Sequence, residues 1–287
     1  MNISTNDIAA ISPYLRQISM PQSVSHKGQN GRVLIIGGSS LFHGAVLWSA
    51  EAAAHIADMV HISSTIENND IIKSLKTMWQ TGMVIPQKEI SHYASEDSVI
   101  LIGNGMMRVG EEGEYTKKIV HDLITQFPDK QFVFDAGALQ VMDPHWLTLL
   151  HRKAIITPHQ KEFQTLFGVD IKDLSMDEKE NTVNKKAREF NAIILLKAVE
   201  DIISDGIKTV KVHGGNAGLT KGGTGDILAG LVAGLCSTSD PFPSAIISSV
   251  VLKRTAEELF TIKGYWYTVR DILSSFPGVF HSLVHHS

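Results

Sequence analysis

Residues 216–230 read NAGLTKGGTGDILAG, and this glycine-rich segment runs directly into an apolar helical pattern. The glycines at 222, 223 and 225 allow the backbone to turn tightly, so that its N–H groups converge on one point. A helix that begins here adds its unpaired amides and the positive end of its dipole. The segment therefore predicts an anion site that suits a phosphate group, with Asp226 at the start of the helix.

Asp226 has two interpretations at this stage. A carboxylate in the first turn of a helix complements the helix dipole, and the glycines would then form only a turn. A carboxylate beside a bound phosphate is electrostatically unfavourable, however, unless it has a chemical task such as accepting the proton of an attacking hydroxyl. The residues alone leave both interpretations open.

Short apolar runs alternate with longer amphipathic segments on either side of this segment. Strands are predicted at residues 33–36, 59–63, 98–102, 132–134, 154–156 and 192–196, and a hairpin at 202–204 and 209–212. Helices are predicted at residues 44–57, 110–127, 176–190, 226–236 and 244–262, with a short candidate at 7–17. This alternation predicts a three-layer α/β domain with a central, mainly parallel sheet and helices on both faces. We expect one domain over residues 1–287, with residues 1–25 as an N-terminal extension or short helix.

Punctuating residues follow the ends of the predicted strands, namely Gly37, Gly103, Asp135, Pro158 and Lys197. In open α/β sheets, ligands bind at the carboxyl ends of the strands. Lys197 suits contact with a ligand phosphate, whereas Asp135 is also explained as a turn cap. His159 follows a strand and a proline, and we expect it near the crevice, although a loop histidine is commonly only solvated.

Other phosphate and metal motifs fail. The segment GGSSLFHG at residues 37–44 is neither a P-loop nor G-x-G-x-x-G, so it is interpreted as a strand-to-helix turn whose amides could meet a ligand. The histidines show no metal-ligand spacing, and His281, His285 and His286 are interpreted as terminal polar residues.

Composition excludes several classes of protein. A net charge of −4 gives no indication of nucleic-acid or acidic-membrane binding. One cysteine, Cys236, excludes an intrachain disulfide framework and fits a reducing compartment. No signal peptide is visible, and no apolar run reaches the ~18 residues of a membrane span. The expected location is cytoplasmic.

Taken in order, the segments resemble the NAD(P)H-hydrate dehydratase family of the ribokinase-like superfamily, formerly described as carbohydrate-kinase-related. The match covers about residues 26–275 and includes His26-Lys27, Gly44-Ala45, Gly103-Asn104-Gly105 and residues 32–39, 134–139, 157–163, 195–201 and 216–230. Gly-Gly-Thr-Gly-Asp alone indicates the superfamily, whereas Thr-Pro-His-x-x-Glu-Phe between Asp135 and Lys197 makes the dehydratase interpretation specific.

Three positions depart from the pattern usual in the family. Asp-Ala-Asp-Ala-Leu becomes Asp-Ala-Gly-Ala-Leu, with Gly137 in place of the second acid. Leu-Lys-Gly ends in Ala198, and the Gly-Pro-Gly element has Asn104 at its centre.

The resemblance implies repair of hydrated NADH and NADPH, in which ADP or ATP phosphorylates the C6 hydroxyl and phosphate then leaves. It implies that Asp226 is the catalytic base and contacts the hydrated dinucleotide together with Ala45, Gly105 and His159. The nucleotide site implied comprises Lys197, Ala198, Val199, Glu200, Asp201, Gly222, Gly223, Thr224 and Gly225. Mg²⁺ would bridge phosphates, with no ligand assigned, and relatives suggest a homo-oligomer, often a tetramer.

Two rival functions stay open. A kinase of a small alcohol, such as a thiazole or pyrimidine vitamin precursor, would share the Gly-Gly-Thr-Gly-Asp segment. A non-catalytic nucleotide-binding protein is suggested by Gly137 in place of a carboxylate.

Overall fold

A computed structural model describes residues 1–77 and 79–285, so His286 lies outside the described residues. Its strands are β1 (Asn2–Ser4), β2 (Arg32–Ile36), β3 (Met59–Ser63), β4 (Met83–Val84), β5 (Val99–Ile102), β6 (Gln131–Phe134), β7 (Ile155–Ile156), β8 (Ile193–Leu196), β9 (Asp201–Ser204) and β10 (Thr209–His213). Its α-helices are α1 (Ile8–Leu15), α2 (Gly44–Ala54), α3 (Ile66–Ser74), α4 (Ile90–Glu96), α5 (Gly110–Gln126), α6 (Ala136–Val141), α7 (Gln160–Phe167), α8 (Met176–Glu189), α9 (Thr224–Cys236), α10 (Pro241–Lys263) and α11 (Val269–His285).

The described strands form one ten-stranded sheet in the order β1-β10-β9-β8-β7-β6-β5-β2-β3-β4. The strands from β4 to β8 pair in parallel. β9 runs antiparallel to both of its neighbours, β8 and β10, and β9 and β10 form the predicted hairpin. β1 pairs in parallel with β10 and is an edge strand of the sheet. The mainly parallel sheet predicted from the sequence is therefore confirmed.

Alternate residues of the strands enter two apolar cores, one on each face of the sheet. Val33 and Ile35 of β2 belong to the core that includes α2, α9, α10 and α11. Leu34 and Ile36 belong to the other core, which includes α4, α5, α7 and α8. Strands that are covered on both faces are apolar throughout, which explains the near-continuous Val/Ile/Leu runs of this sheet. The prediction of three layers is therefore confirmed.

The element boundaries differ from the sequence predictions by a few residues. α9 begins at Thr224 rather than Asp226, which places Asp226 inside the first helical turn. The sequence does not predict α3, α4, α6, α7 and α11, nor the short strands β1 and β4. The N-terminal segment predicted as an extension or short helix also contributes β1, which pairs with β10. α6 and α7 are only six and eight residues long, so their periodicity is too short to recognise.

The parallel arrangement brings several chain segments to one edge of the sheet. Residues that follow β5, β6, β7 and β8 come next to each other there, because these strands are neighbours with a common direction. No helix in the described part of the chain is long and apolar enough to cross a membrane.

Candidate functional site

The start of α9 forms the centre of the site. Gly223 caps the helix with a left-handed φ of 103°, a conformation that favours glycine. The hydroxyl of Thr224 donates to the carbonyls of Leu219 and Lys221 at 2.7 and 3.0 Å, which fixes the preceding loop. The first amides of a helix have no partners within it, so the geometry suits an anion as the sequence predicts.

Three carboxylates and one lysine gather beside this helix start. Lys197 Nζ lies 2.7 Å from Asp135 Oδ1 and 3.9 Å from Glu162 Oε2. The Thr157 hydroxyl donates to the same Asp135 oxygen at 2.8 Å. Asp226 contributes a further negative charge that acts on Lys197. Lys197 thus partly neutralises an acidic cluster and has donor capacity left for a phosphate.

Asn104 links two of these carboxylates. Its Nδ2 donates to Asp135 Oδ2 at 2.9 Å and to Asp226 Oδ1 at 2.8 Å. In the sequence, Asn104 stands out only as the centre of the Gly103-Asn104-Gly105 element, where the family pattern has proline. Its contacts could not be foreseen, because residues 104 and 226 are 122 positions apart.

The surroundings of Asp226 raise its pKa to about 6. Burial is the main cause, and the negative charges of Asp135 and Glu162 act in the same direction. The Asn104 hydrogen bond and the Lys197 charge oppose the rise. Burial also lowers the pKa of Lys197, but Asp135, Glu162 and Asp226 outweigh it and leave that pKa raised. Asp226 can therefore accept a proton near neutral pH, while Lys197 stays charged.

The loop that joins β8 and β9 contains the other residues predicted to bind nucleotide. Val199 is 91% exposed, and Glu200 pairs with His213 at 3.1 Å. Asp201 is instead buried and accepts hydrogen bonds from the Ala198 amide at 2.9 Å and the Ser249 hydroxyl at 2.7 Å. The Asp201 carboxylate thus organises this loop from within.

Ala45 and Gly105, predicted to contact the dinucleotide, lie next to each other. A Cβ at Gly105 would lie 2.8 Å from the Ala45 Cβ, and the φ of Gly105 is 70°. Because the two residues lie so close together, a larger side chain at either position would collide with the other.

His159 caps α7. Its Nδ1 accepts from the amides of Lys161 and Glu162 at 3.1 and 3.2 Å, and Glu162 accepts from the His159 amide at 2.9 Å. The imidazole is 52% exposed, with Nε2 3.4 Å from Glu162 Oε1. The cap fixes the imidazole ring beside the carboxylate cluster, and the exposed part of the ring is left for a ligand.

Gly137 has no room for a side chain. A Cβ there would lie 2.3 Å from the Met106 carbonyl oxygen. The acidic residue usual in the family at this position is therefore incompatible with the course of the loop after β5.

The described residues do not fit a resident metal site. They contain no group of three histidine, cysteine or acidic side chains placed to hold an ion. Among the clustered carboxylates, Lys197 already occupies the position between Asp135 and Glu162.

Similarity to known proteins identifies the family. A family model described as NAD(P)H-hydrate dehydratase matches residues 33–277. The bifunctional NAD(P)H-hydrate repair enzyme Nnr of Methanocaldococcus jannaschii is 34% identical over 92% of the chain. The chain spans only 51% of that enzyme, about half the length of several such relatives. The ADP-dependent (S)-NAD(P)H-hydrate dehydratase of Nitrosopumilus maritimus is also 34% identical, over 88% of this chain and 89% of its own.

Solved structures show the same fold. A ribokinase-like superfamily protein of Enterococcus faecalis superposes with a TM-score of 0.81 at 23% identity, over 98% of this chain and 95% of its own. The ADP/ATP-dependent NAD(P)H-hydrate dehydratase of Bacillus subtilis, co-crystallised with ATP and Mg²⁺, gives 0.79 at 22% identity, over 95% and 97%.

Proposed function

The chain belongs to the NAD(P)H-hydrate dehydratase family, and we propose on that basis that it restores hydrated NADH and NADPH at the expense of ADP or ATP. The observation that carries the proposal is Asp226, whose pKa is about 6 and which lies in the first turn of a helix suited to phosphate. This pairing of a base with an anion site is what phosphorylation of a hydroxyl requires.

Hydration leaves a hydroxyl on C6 of the nicotinamide ring. Asp226 accepts the proton of that hydroxyl as its oxygen attacks the terminal phosphorus of the nucleotide. The bond from that phosphorus to the bridging oxygen breaks, and ADP leaves as AMP. Phosphate then departs from C6 with the C–O electron pair, and a proton lost from C5 restores the ring double bond. One of the two protons released stays with the phosphate as HPO₄²⁻, so the sum is hydrated NADH plus ADP to NADH, AMP, phosphate and one proton.

The amides of Gly222, Gly223 and Gly225 would stabilise the charge on the transferred phosphoryl group. The Thr224 amide instead donates to the Lys221 carbonyl at 3.3 Å and helps to hold the loop. A Cβ at Gly225 would lie 3.4 Å from Lys197 Nζ, so the lysine can reach the same group from the other side. The loop of Ala198, Val199 and Glu200 would then contact the rest of the nucleotide, while Ala45, Gly105 and His159 contact the hydrated cofactor. Asp201, the buried first residue of β9, would support that loop through the Ala198 amide rather than contact the nucleotide.

We propose ADP as the phosphoryl donor, because a relative of similar length and 34% identity is named as ADP-dependent. The nucleotide would bind as its magnesium salt, in which the ion bridges phosphate oxygens and keeps several waters. A cytoplasmic location rests on the reducing compartment that one free cysteine fits. Assembly into a homo-oligomer rests on the resemblance alone, and light scattering on the purified protein would test it.

The test is incubation of the protein with hydrated NADH, ADP and magnesium. We expect the near-ultraviolet absorbance of reduced nicotinamide to return, with one AMP formed for each NADH. A stable phosphorylated product with no NADH would instead indicate a small-molecule kinase. Nucleotide binding with no product would indicate a non-catalytic relative.

A further inference from the structure

Asn104 is a fully buried side chain placed between the two carboxylates of Asp135 and Asp226. Both hydrogen bonds come from the same Nδ2, at 2.9 and 2.8 Å. Among the described residues, its Oδ1 is buried and has no hydrogen-bond partner. A rotation that exchanged Oδ1 and Nδ2 would bring an oxygen towards two carboxylates. The orientation seen is therefore the one in which Asn104 donates to both carboxyl groups.

The backbone holds Asn104 in this position. The Gly38 amide donates to the Asn104 carbonyl at 2.6 Å, which ties the loop to the end of β2. The Gly137 amide donates to the Gly103 carbonyl at 3.1 Å. The space that a side chain at 137 would need is filled by the Met106 carbonyl of the same loop. Two departures from the family pattern, Asn104 and Gly137, thus belong to one local arrangement.

We propose that Asn104 is a positioning residue that holds Asp226 ionised and oriented for proton transfer. This rests on the function proposed above. Proline, which is usual at this position in the family, has no side-chain donor and could not form these contacts.

The electrostatics of the cluster support this role. The charged groups that face Asp226 are Asp135 after β6, Glu162 on α7 and Lys197 after β8. Two of the three repel a negative charge on Asp226, and burial also opposes it. Asn104 supplies a donor between the two carboxyl groups, and its hydrogen bond lowers the pKa of Asp226. Without it, Asp226 would stay protonated to a higher pH and could not accept a proton.

The first experiment compares Asn104→Ala and Asn104→Asp with the wild type. Loss of the donor should move the acidic limb of the kcat–pH profile to a pH about one unit higher. At a pH below this limb, the ionised fraction of Asp226 would then be about tenfold smaller than in the wild type. Asn104→Asp adds a like charge and should move the limb further. The KM for ADP should change less than about threefold, because a group acting through Asp226 does not bind the nucleotide.

The matched control is Asn184→Ala. Asn184 Nδ2 also donates to two side-chain oxygens, those of Ser204 and Thr209, both at 3.1 Å. β9 is antiparallel to β8, so Ser204 at the end of β9 lies beside the start of β8. The site is at the other end of β8, where Lys197 follows the strand. This variant should lose stability but keep the wild-type pH profile.

Direct titration of Asp226 separates this inference from the function itself. The wild type and the variants are labelled with ¹³Cγ-aspartate, and the Asp226 signal is assigned by its absence in Asp226→Asn. If hydrated NADH is not turned over but the Asp226 midpoint rises in the Asn104 variants, the function is wrong and the positioning role holds. If the midpoint and the profile stay unchanged, the positioning role is wrong.

A variant that fails to fold does not remove the test. In the wild type, the side-chain amide ¹H and ¹⁵N signals of Asn104 should titrate with the same midpoint as Asp226. An amide that does not respond to that midpoint would contradict the proposal.

Discussion

At the scale of single residues, the environment of Asp226 favours the catalytic interpretation over that of a carboxylate that only complements the helix dipole. A carboxylate that only complements a helix dipole has its pKa lowered by the helix, whereas burial and neighbouring carboxylates raise this one to about 6. Perturbed pKa values of this kind cluster at functional sites.

The pH dependence of turnover follows from that pKa. Asp226 must be ionised to accept a proton, so kcat should fall as the pH falls through about 6. Initial rates at saturating substrate over a pH series measure this limb. A limb near the ordinary aspartate value of about 4 would show that Asp226 is not the titrating base.

The same shift predicts the stability of Asp226→Asn. The pKa of Asp226 is raised from 3.8 to about 6 on folding, so the folded state binds the proton more tightly. The free energy of unfolding therefore falls as the pH rises between these values, and ionised Asp226 costs up to ~3 kcal/mol above them. Asp226→Asn should be more stable than the wild type at about pH 8 and lose that advantage at about pH 4. Urea denaturation at both pH values measures the difference, and a less stable variant at about pH 8 would contradict it.

At the scale of elements, the cap of α9 is the feature on which nucleotide binding depends. Gly223→Ala would place a Cβ 3.0 Å from Val269 Cγ1 and 3.1 Å from Trp48 Cδ1, at a φ of 103°. We expect a loss of about 1–2 kcal/mol in stability from the left-handed backbone and at least tenfold weaker ADP binding from the distorted turn. Calorimetric titration with ADP measures the affinity.

Gly168→Ala is the matched control for that substitution. Gly168 ends α7 with a φ of 67°, and a Cβ there would meet nothing within 4 Å. It should show a similar backbone cost without a change in ADP affinity. Equal losses of affinity in both variants would mean that the α9 cap has no specific role.

The elements also show what the sequence could and could not predict. The apolar runs of β2, β3, β5 and β8 and the capping box of Ser175 and Glu178 have local signals, and the structure confirms them. The capping box formed by His159 and Glu162 was missed because the cap is a histidine rather than serine or threonine. The Asn104 bridge has no local signal, since one partner follows β6 and the other lies on α9, both far along the chain from residue 104.

At the scale of the whole molecule, the parallel sheet assembles the cluster from distant parts of the chain. Asn104, Asp135 and Lys197 follow β5, β6 and β8, and Asp226 arrives on α9, which packs against β5 and β6. A ligand at this edge would contact several of these segments at once and should stabilise the fold as a unit.

ADP with magnesium should therefore raise the melting temperature. A concentration of about 100 times Kd stabilises by ~2.7 kcal/mol, which corresponds to roughly 5 °C in a domain of this size. Adenosine lacks phosphates and should give a much smaller shift. Equal shifts with ADP and adenosine would indicate that the glycine segment does not hold the phosphates.

The central claim is that Asp226 is the base in phosphorylation of the hydrated cofactor, and the kcat of Asp226→Asn with hydrated NADH and ADP tests it most directly. Asparagine keeps the size and the helix-start geometry but cannot accept the proton, so turnover should fall by ~10²–10⁴. ADP affinity, measured on the same preparation, should be unchanged or slightly tighter because a negative charge beside the phosphates is removed. A folded variant that binds ADP and keeps a near-wild-type kcat would contradict the account.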